Sequence, residues 1–137
     1  MTLAPERTFL AALRGVAAAD SGVRAILGDP ARLYDDHPVA AEFPFATIGR
    51  IETANADSAG SAALAHTLTL HVWSRYGGKA EALDALGALR DALHHAALDI
   101  EDRRLVLLSA IYSDVFLADD GRTHHGVLRM RAMVEAE

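Results

Sequence analysis

The chain predicts an α+β fold, with a mainly antiparallel sheet of four to five strands and helices packed on one face. Three observations carry this expectation. Residues 64–97 change period midway: Leu64, Leu68, Leu70 and Val72 alternate as on a half-buried strand, interrupted by His66, whereas Ala82, Leu86, Leu89, Leu93 and Ala96, with Leu83 beside them, recur at helical spacing. Helical stripes and extended runs follow one another in the order ααβββαββ, the first strand being short, which favours hairpins over repeated βαβ units. The length of 137 residues supports a single core, so one domain over 1–137 is expected.

Each element follows from local chemistry. Pro5 suits the first turn of a helix, where its missing N–H costs nothing, and Phe9, Leu10, Leu13, Val16 and Ala17 make a stripe over residues 5–19. Asp20-Ser21-Gly22 interrupts it, and Ser21 is placed to cap a short second helix holding Val23, Ile26 and Leu27 before Gly28-Asp29-Pro30. Residues 32–34 form a short edge strand, and two prolines keep residues 35–44 irregular. Residues 45–53 form a strand whose buried face stays ambiguous.

Asn55, Ala56, Asp57, Ser58, Ala59, Gly60, Ser61 and Ala62 are small and polar, so they read as the flexible tip of a long hairpin. The strand from Leu64 follows, then the Tyr76-Gly77-Gly78 turn and the helix. Residues 99–102 are an acidic turn. Residues 105–116 are extended with apolar residues on both faces, which suits a central strand or one covered by another subunit. Asp119-Asp120-Gly121 is a hairpin turn, and the last strand alternates Leu128, Met130, Ala132 and Val134 against Arg129, Arg131 and Met133.

Composition narrows the function classes. Without cysteine there is no disulfide, thiolate metal site or cysteine nucleophile. A formal net charge of -6 disfavours binding to phosphate backbones by bulk charge. No apolar run approaches the ~20 residues of a membrane span, and the N-terminus lacks a basic region followed by an apolar one, so a cytoplasmic protein or a particle assembled there is expected, with no membrane partner.

Seven histidines invite a metal, but their spacing opposes it. His66 and His71 point to opposite faces of one strand, and the adjacent pairs His94-His95 and His124-His125 are expected to diverge. His66 reads as a satisfied half-buried histidine or a subunit contact, and His71 as a surface position beside Thr69 and Trp73. No serine sits in a nucleophile elbow, and two glycines before a helix account for a plain turn. No catalytic, metal or cofactor-binding residue is assigned, and no cofactor is expected.

Four segments together resemble a known family. PFATIG at 44–49, TLTLHVWSRYGGKAEA at 67–82, ALHHAAL at 92–98 and DDGRTHHGVLRMRA at 119–132 are similar to the small tail-completion, or tail terminator, proteins of long-tailed bacteriophages and phage-derived gene transfer agents. The resemblance implies a non-enzymatic ring of six copies at the head-proximal end of the tail tube. There it would stop tube polymerisation and meet the head-completion or stopper protein, in the tail of a virion or gene transfer agent assembled in the bacterial cytoplasm. A composition of 28 alanines and one lysine fits a GC-rich bacterial genome.

Within that reading, residues 55–62 are the partner-binding loop. DNA passes the ring without specific binding, so Glu52, Asp57, Asp119 and Asp120 are candidates for an acidic lumen. Two other classes stand beside it: a stopper or adaptor at the head-tail joint, and a small ligand-binding or enzymatic α+β domain.

Overall fold

The computed structural model describes residues 3–136. Helices α1 (Pro5–Ala19) and α2 (Ser21–Leu27) are followed by strands β1 (Leu33–Tyr34), β2 (Phe45–Asn55) and β3 (Ala63–Ser74). Helix α3 (Ala80–Leu93) leads into β4 (Arg103–Leu117) and β5 (His124–Ala136). The sheet order is β1-β2-β3-β5-β4, antiparallel throughout except for the short parallel β1–β2 pair.

Asp20, not Ser21, caps α2: it is the extended residue between the first two helices, and its carboxylate accepts the Val23 N–H at 3.0 Å. All three helices cover one face of the sheet. The core joins Phe9 and Leu13 of α1, Val23 and Leu27 of α2, Leu86 and Leu89 of α3, and the inward-facing Leu68, Leu70, Leu128 and Met130. Each such side chain contributes about 1.5–3 kcal/mol by leaving water. A Cβ at Gly126 would lie 3.1 Å from the Leu86 side chain, so the missing side chain on β5 lets α3 approach closely.

Elsewhere the structure departs from the sequence expectation, or settles what it left open, in four places. First, α3 ends at Leu93, so Ala96 lies outside it, and Leu83 is 54% exposed instead of joining the buried stripe. His94 is already extended and His95 has φ 61°, which turns the chain towards β4. Second, the His94 and His95 rings do not diverge; they stack with centroids 3.8 Å apart. Alternation of neighbouring side chains holds only in regular strand, and this pair sits in a turn.

Third, β4 is not central but an edge strand, paired on one side only, with β5. Fourth, β2 has no single buried face at its start. Phe45, Ala46, Thr47 and Ile48 are all buried, because the helices cover one side and residues 35–44 fold over the other. There His37 and Phe43 pack on Phe45 with centroids 5.0 and 5.1 Å away.

Candidate assembly surfaces

The longest exposed apolar feature is the edge strand. Among the described residues, six of the nine exposed large hydrophobic side chains stand on β4: Val106, Leu107, Ile111, Tyr112, Phe116 and Leu117, each 40–52% exposed. The pairing register with β5 shifts between Leu105 and Leu107 and again between Ala110 and Tyr112, so Val106 and Ile111 are the inserted residues of two bulges. Isolated subunits ordinarily protect such an edge with charge, proline or cover. Both bulges here carry exposed aliphatic side chains.

The middle of that edge is covered by the chain itself. The His95 N–H donates to the Leu108 carbonyl at 2.8 Å, and the Ala110 N–H donates to Nδ1 of His94 at 2.9 Å. On the opposite side of the sheet β1 pairs only with Ala46 and Thr47, which leaves the outer side of β2 beyond them without a strand.

The helix-free face is organised in cross-strand rows. Phe45, Trp73, His125 and Phe116 form an aromatic row through four strands. The Trp73 and His125 rings stack at 3.9 Å, and Trp73 Nε1–H donates to Thr47 Oγ1 at 3.2 Å. His71 Nδ1 lies 2.7 Å from His125 Nε2, so one ring donates and the other accepts. Burial, and then the neighbouring His71, push His125 down to about 4, and burial lowers His71 as well. A Cβ at Gly49 would sit 2.5 Å from His71 Nε2, so only glycine leaves room for that ring. His71 is therefore part of a packed cluster instead of a bare surface position.

His66 faces the other way, into the core. It is fully buried, its Nδ1 is 2.9 Å from Thr53 Oγ1, the Phe9 ring stacks on it at 5.0 Å, and Nε2 has no partner. Burial holds it below the usual histidine range, so it is a neutral core residue and neither half-buried nor fully satisfied. Among the described residues, no group of three or more His, Asp or Glu is placed to hold a metal ion.

The candidate carboxylates do not converge. Glu52 stands on the helix-free face opposite Thr67, and Asp57 lies at the β2–β3 tip. Asp119 and Asp120 lie in the β4–β5 turn, at the other end of the sheet. Asp120 is engaged within its own turn. It accepts the Thr123 hydroxyl and the N–H groups of Arg122 and Thr123, with Arg75 at 3.7 Å, and these partners, Thr123 foremost, hold its carboxyl down at about 2.

The 55–62 tip is more structured than its composition suggests. Asp57 N–H donates to Asn55 Oδ1 and Ala63 N–H to Asp57 Oδ1, both at 2.8 Å, and Ser58 and Ser61 exchange backbone bonds. Gly60, with φ 78°, makes the reversal. Spacing alone had no means of finding the His71–His125 contact or the His94 bond to β4, since both join residues far apart in the chain.

The surface grooves are shallow. One of about 450 Å³ runs along α1 beside Leu10, Ala11, Arg14 and Asp35, where Arg14 and Asp35 form an ion pair at 2.7 Å.

Comparison with known proteins identifies the family. A search of curated proteins finds no match. Among solved structures, a chain of the "Virion of native gene transfer agent (GTA) particle" aligns with a TM-score of 0.87 and 26% identity, covering 98% of this chain and 100% of that one. The family model for tail completion protein gp17 matches residues 11–135. The chain belongs to the tail completion protein gp17 family and is a structural protein of a phage-type tail.

Proposed function

We propose that the protein closes into a ring of six copies on the head-proximal end of the tail tube, ends tube polymerisation there, and presents a surface to the head-completion or stopper protein. The observation that carries this reading is the exposed apolar β4 edge. A subunit whose core is complete gains nothing from six large hydrophobic side chains along one strand, whereas a neighbour covering them gains the area they remove from water. Every strand keeps its direction when copies rotate about an axis parallel to the strands. The outgoing β4 edge then meets the free β2 edge of the next copy in antiparallel sense, and such head-to-tail contacts close when the rotation closes.

The role is scaffolding and not catalysis. The 55–62 tip, projecting from the end of the sheet, is the contact to the tube or the neighbouring subunit. If the helix-free face lines the passage for DNA, Glu52 and Asp114 offset Arg129 and Arg131 on it, and Asp57 and Asp119 add negative charge at its two ends. Asp120 contributes less, since its charge is met within the turn. The passage is then neutral to acidic and does not hold phosphate.

Electron microscopy of the purified protein and of intact particles tests the reading. Six-fold rings between tail tube and head are the expected result. Single copies, an open filament or a position elsewhere in the particle would overturn it.

A further inference from the structure

The two bonds that the segment after α3 makes to β4 are the same two a neighbouring strand would make. The His95 N–H occupies the outward carbonyl of Leu108, and Nδ1 of His94 occupies the outward N–H of Ala110. Both histidines are exposed and their rings stack on one another, so the hook has little packing of its own beyond these contacts. Its two ends are fixed: α3 stops at Leu93, which is buried, and the chain is buried again at Leu98 and Ile100. Between those anchors, His95 takes a left-handed φ of 61°, a conformation that residues with a side chain disfavour. Beyond the hook, residues 111–117 have no strand on their outer side.

We propose that the His94–His95 hook is a detachable cover of the β4 edge, closing the middle of the strand in the free subunit and yielding its two bonds to a strand of a second copy on assembly. The second copy is the occupant because the chain carries both the apolar β4 edge and, across the sheet, the uncovered outer side of β2. This identity of the strand rests on the ring reading above; the existence of the cover in the free subunit does not.

The bond from Ala110 depends on the tautomer of His94. Nδ1 must be unprotonated to accept from Ala110, and a protonated ring presents a donor to a donor. The groups around His94 are few. The His95 ring is stacked on it. On α3, Arg90 lies one turn back with its guanidinium donating to Ser113 Oγ at 2.9 Å, and Asp91 is exposed. From β4, Tyr112 and Asp114 stand on the opposite, helix-free face, and Asp99 is exposed on the segment that follows.

Amide hydrogen exchange at Ala110 tests the proposal in two arms. In the free protein the amide is expected to be protected, with protection falling about five- to tenfold in His94→Ala. In His94→Asn, whose side-chain oxygen takes the place of Nδ1 as acceptor, protection should persist. Equal exchange in wild type and His94→Ala overturns the cover. In assembled rings the Ala110 amide of His94→Ala should be protected again, because the neighbour supplies the acceptor. Exchange as fast as in the free variant overturns the strand exchange. Failure of any ring to form is a separate result that counts against the ring reading alone.

Discussion

Strands β3 and β4 are both long and rich in aliphatic side chains, yet the fold uses them in opposite ways. β3 runs through the middle of the sheet, and from His66 to Ser74 its residues alternate strictly between buried and half-exposed. β4 lies at the edge, breaks its register twice and turns apolar side chains outward at both breaks. The difference teaches that a strand apolar on both faces does not have to be interior. It can equally be a strand whose second partner is another molecule, and only the pairing order distinguishes the two.

The comparison predicts that damage to β3 is felt in folding and damage to β4 in assembly. The largest effect is expected at Leu70, fully buried in the core, with Ile48 of β2 and Leu128 of β5 beside it in the sheet. Leu70→Ala should cost about 2–5 kcal/mol, read as a lower midpoint of denaturant unfolding with unchanged slope. A loss below about 1 kcal/mol would show that the β3 core is looser than its burial implies.

Acidification should act next, again through the interior side of the contrast. His66 on β3, and His71 with His125 across β3 and β5, have folded-state proton affinities lowered by burial. Below the ordinary histidine value of about 6.5 the unfolded chain binds protons that the folded one refuses. Stability is therefore complete above that value and declines as pH falls from there towards about 4, where His125 titrates in the fold. For His125 alone the loss is about 1–2 kcal/mol once water screening of this partly exposed ring is allowed for. Thermal unfolding followed from pH 7.5 to 4.5 measures it, and replacing His125 by Phe should flatten the slope.

Ile111→Lys addresses the other side of the comparison. The side chain is 52% exposed at a bulge, so folding stability should change by less than about 0.5 kcal/mol. Ring formation and joining of tails should nevertheless fail, because a lysine would be buried against the neighbour without a partner. Normal rings in this variant, seen by sedimentation and microscopy, would remove β4 from the interface.

How much of this was legible in the sequence follows the same division. The α1 stripe, the β3 alternation, the hairpin turn at 119–121 and the composite family resemblance are all local patterns, and local patterns survive without knowledge of pairing. The fate of β4 did not, because its run of apolar residues is compatible with an edge or a centre until β5 is seen to come between it and β3. The end of α3 was misplaced for a related reason. Ala96 continues the helical spacing, but the backbone of His95 is drawn to Leu108, thirteen positions on in the chain, and that bond wins over propensity. Of the candidate carboxylates, Asp120 was identifiable as a turn residue. Its capture by Thr123 depends on the conformation of the turn.

The smallest effect on folding is expected at the β2–β3 tip, and it sharpens the contrast most, since the tip joins the two regimes. Its side chains are exposed and small, and what holds it is a set of local bonds from Asn55, Asp57 and the Ser58–Ser61 pair. Replacing residues 56–61 by a two-residue Asn-Gly turn removes those bonds together with the backbone they order. Ordering costs on the order of 1 to 2 kcal/mol per residue, so the lost bonds and the recovered entropy largely cancel and stability should move by less than about 1 kcal/mol. Tail joining should suffer much more if the tip supplies backbone edges to the tube or the neighbouring subunit, because main-chain pairing needs length and not particular side chains. Hydrogen exchange across residues 55–62 separates the cases. Local bonds alone give the modest protection of an exposed turn in the free subunit, and a docked tip gains protection on assembly. Equal protection in free and assembled protein, together with normal tails from the shortened chain, would confine the tip to the role of a simple connection.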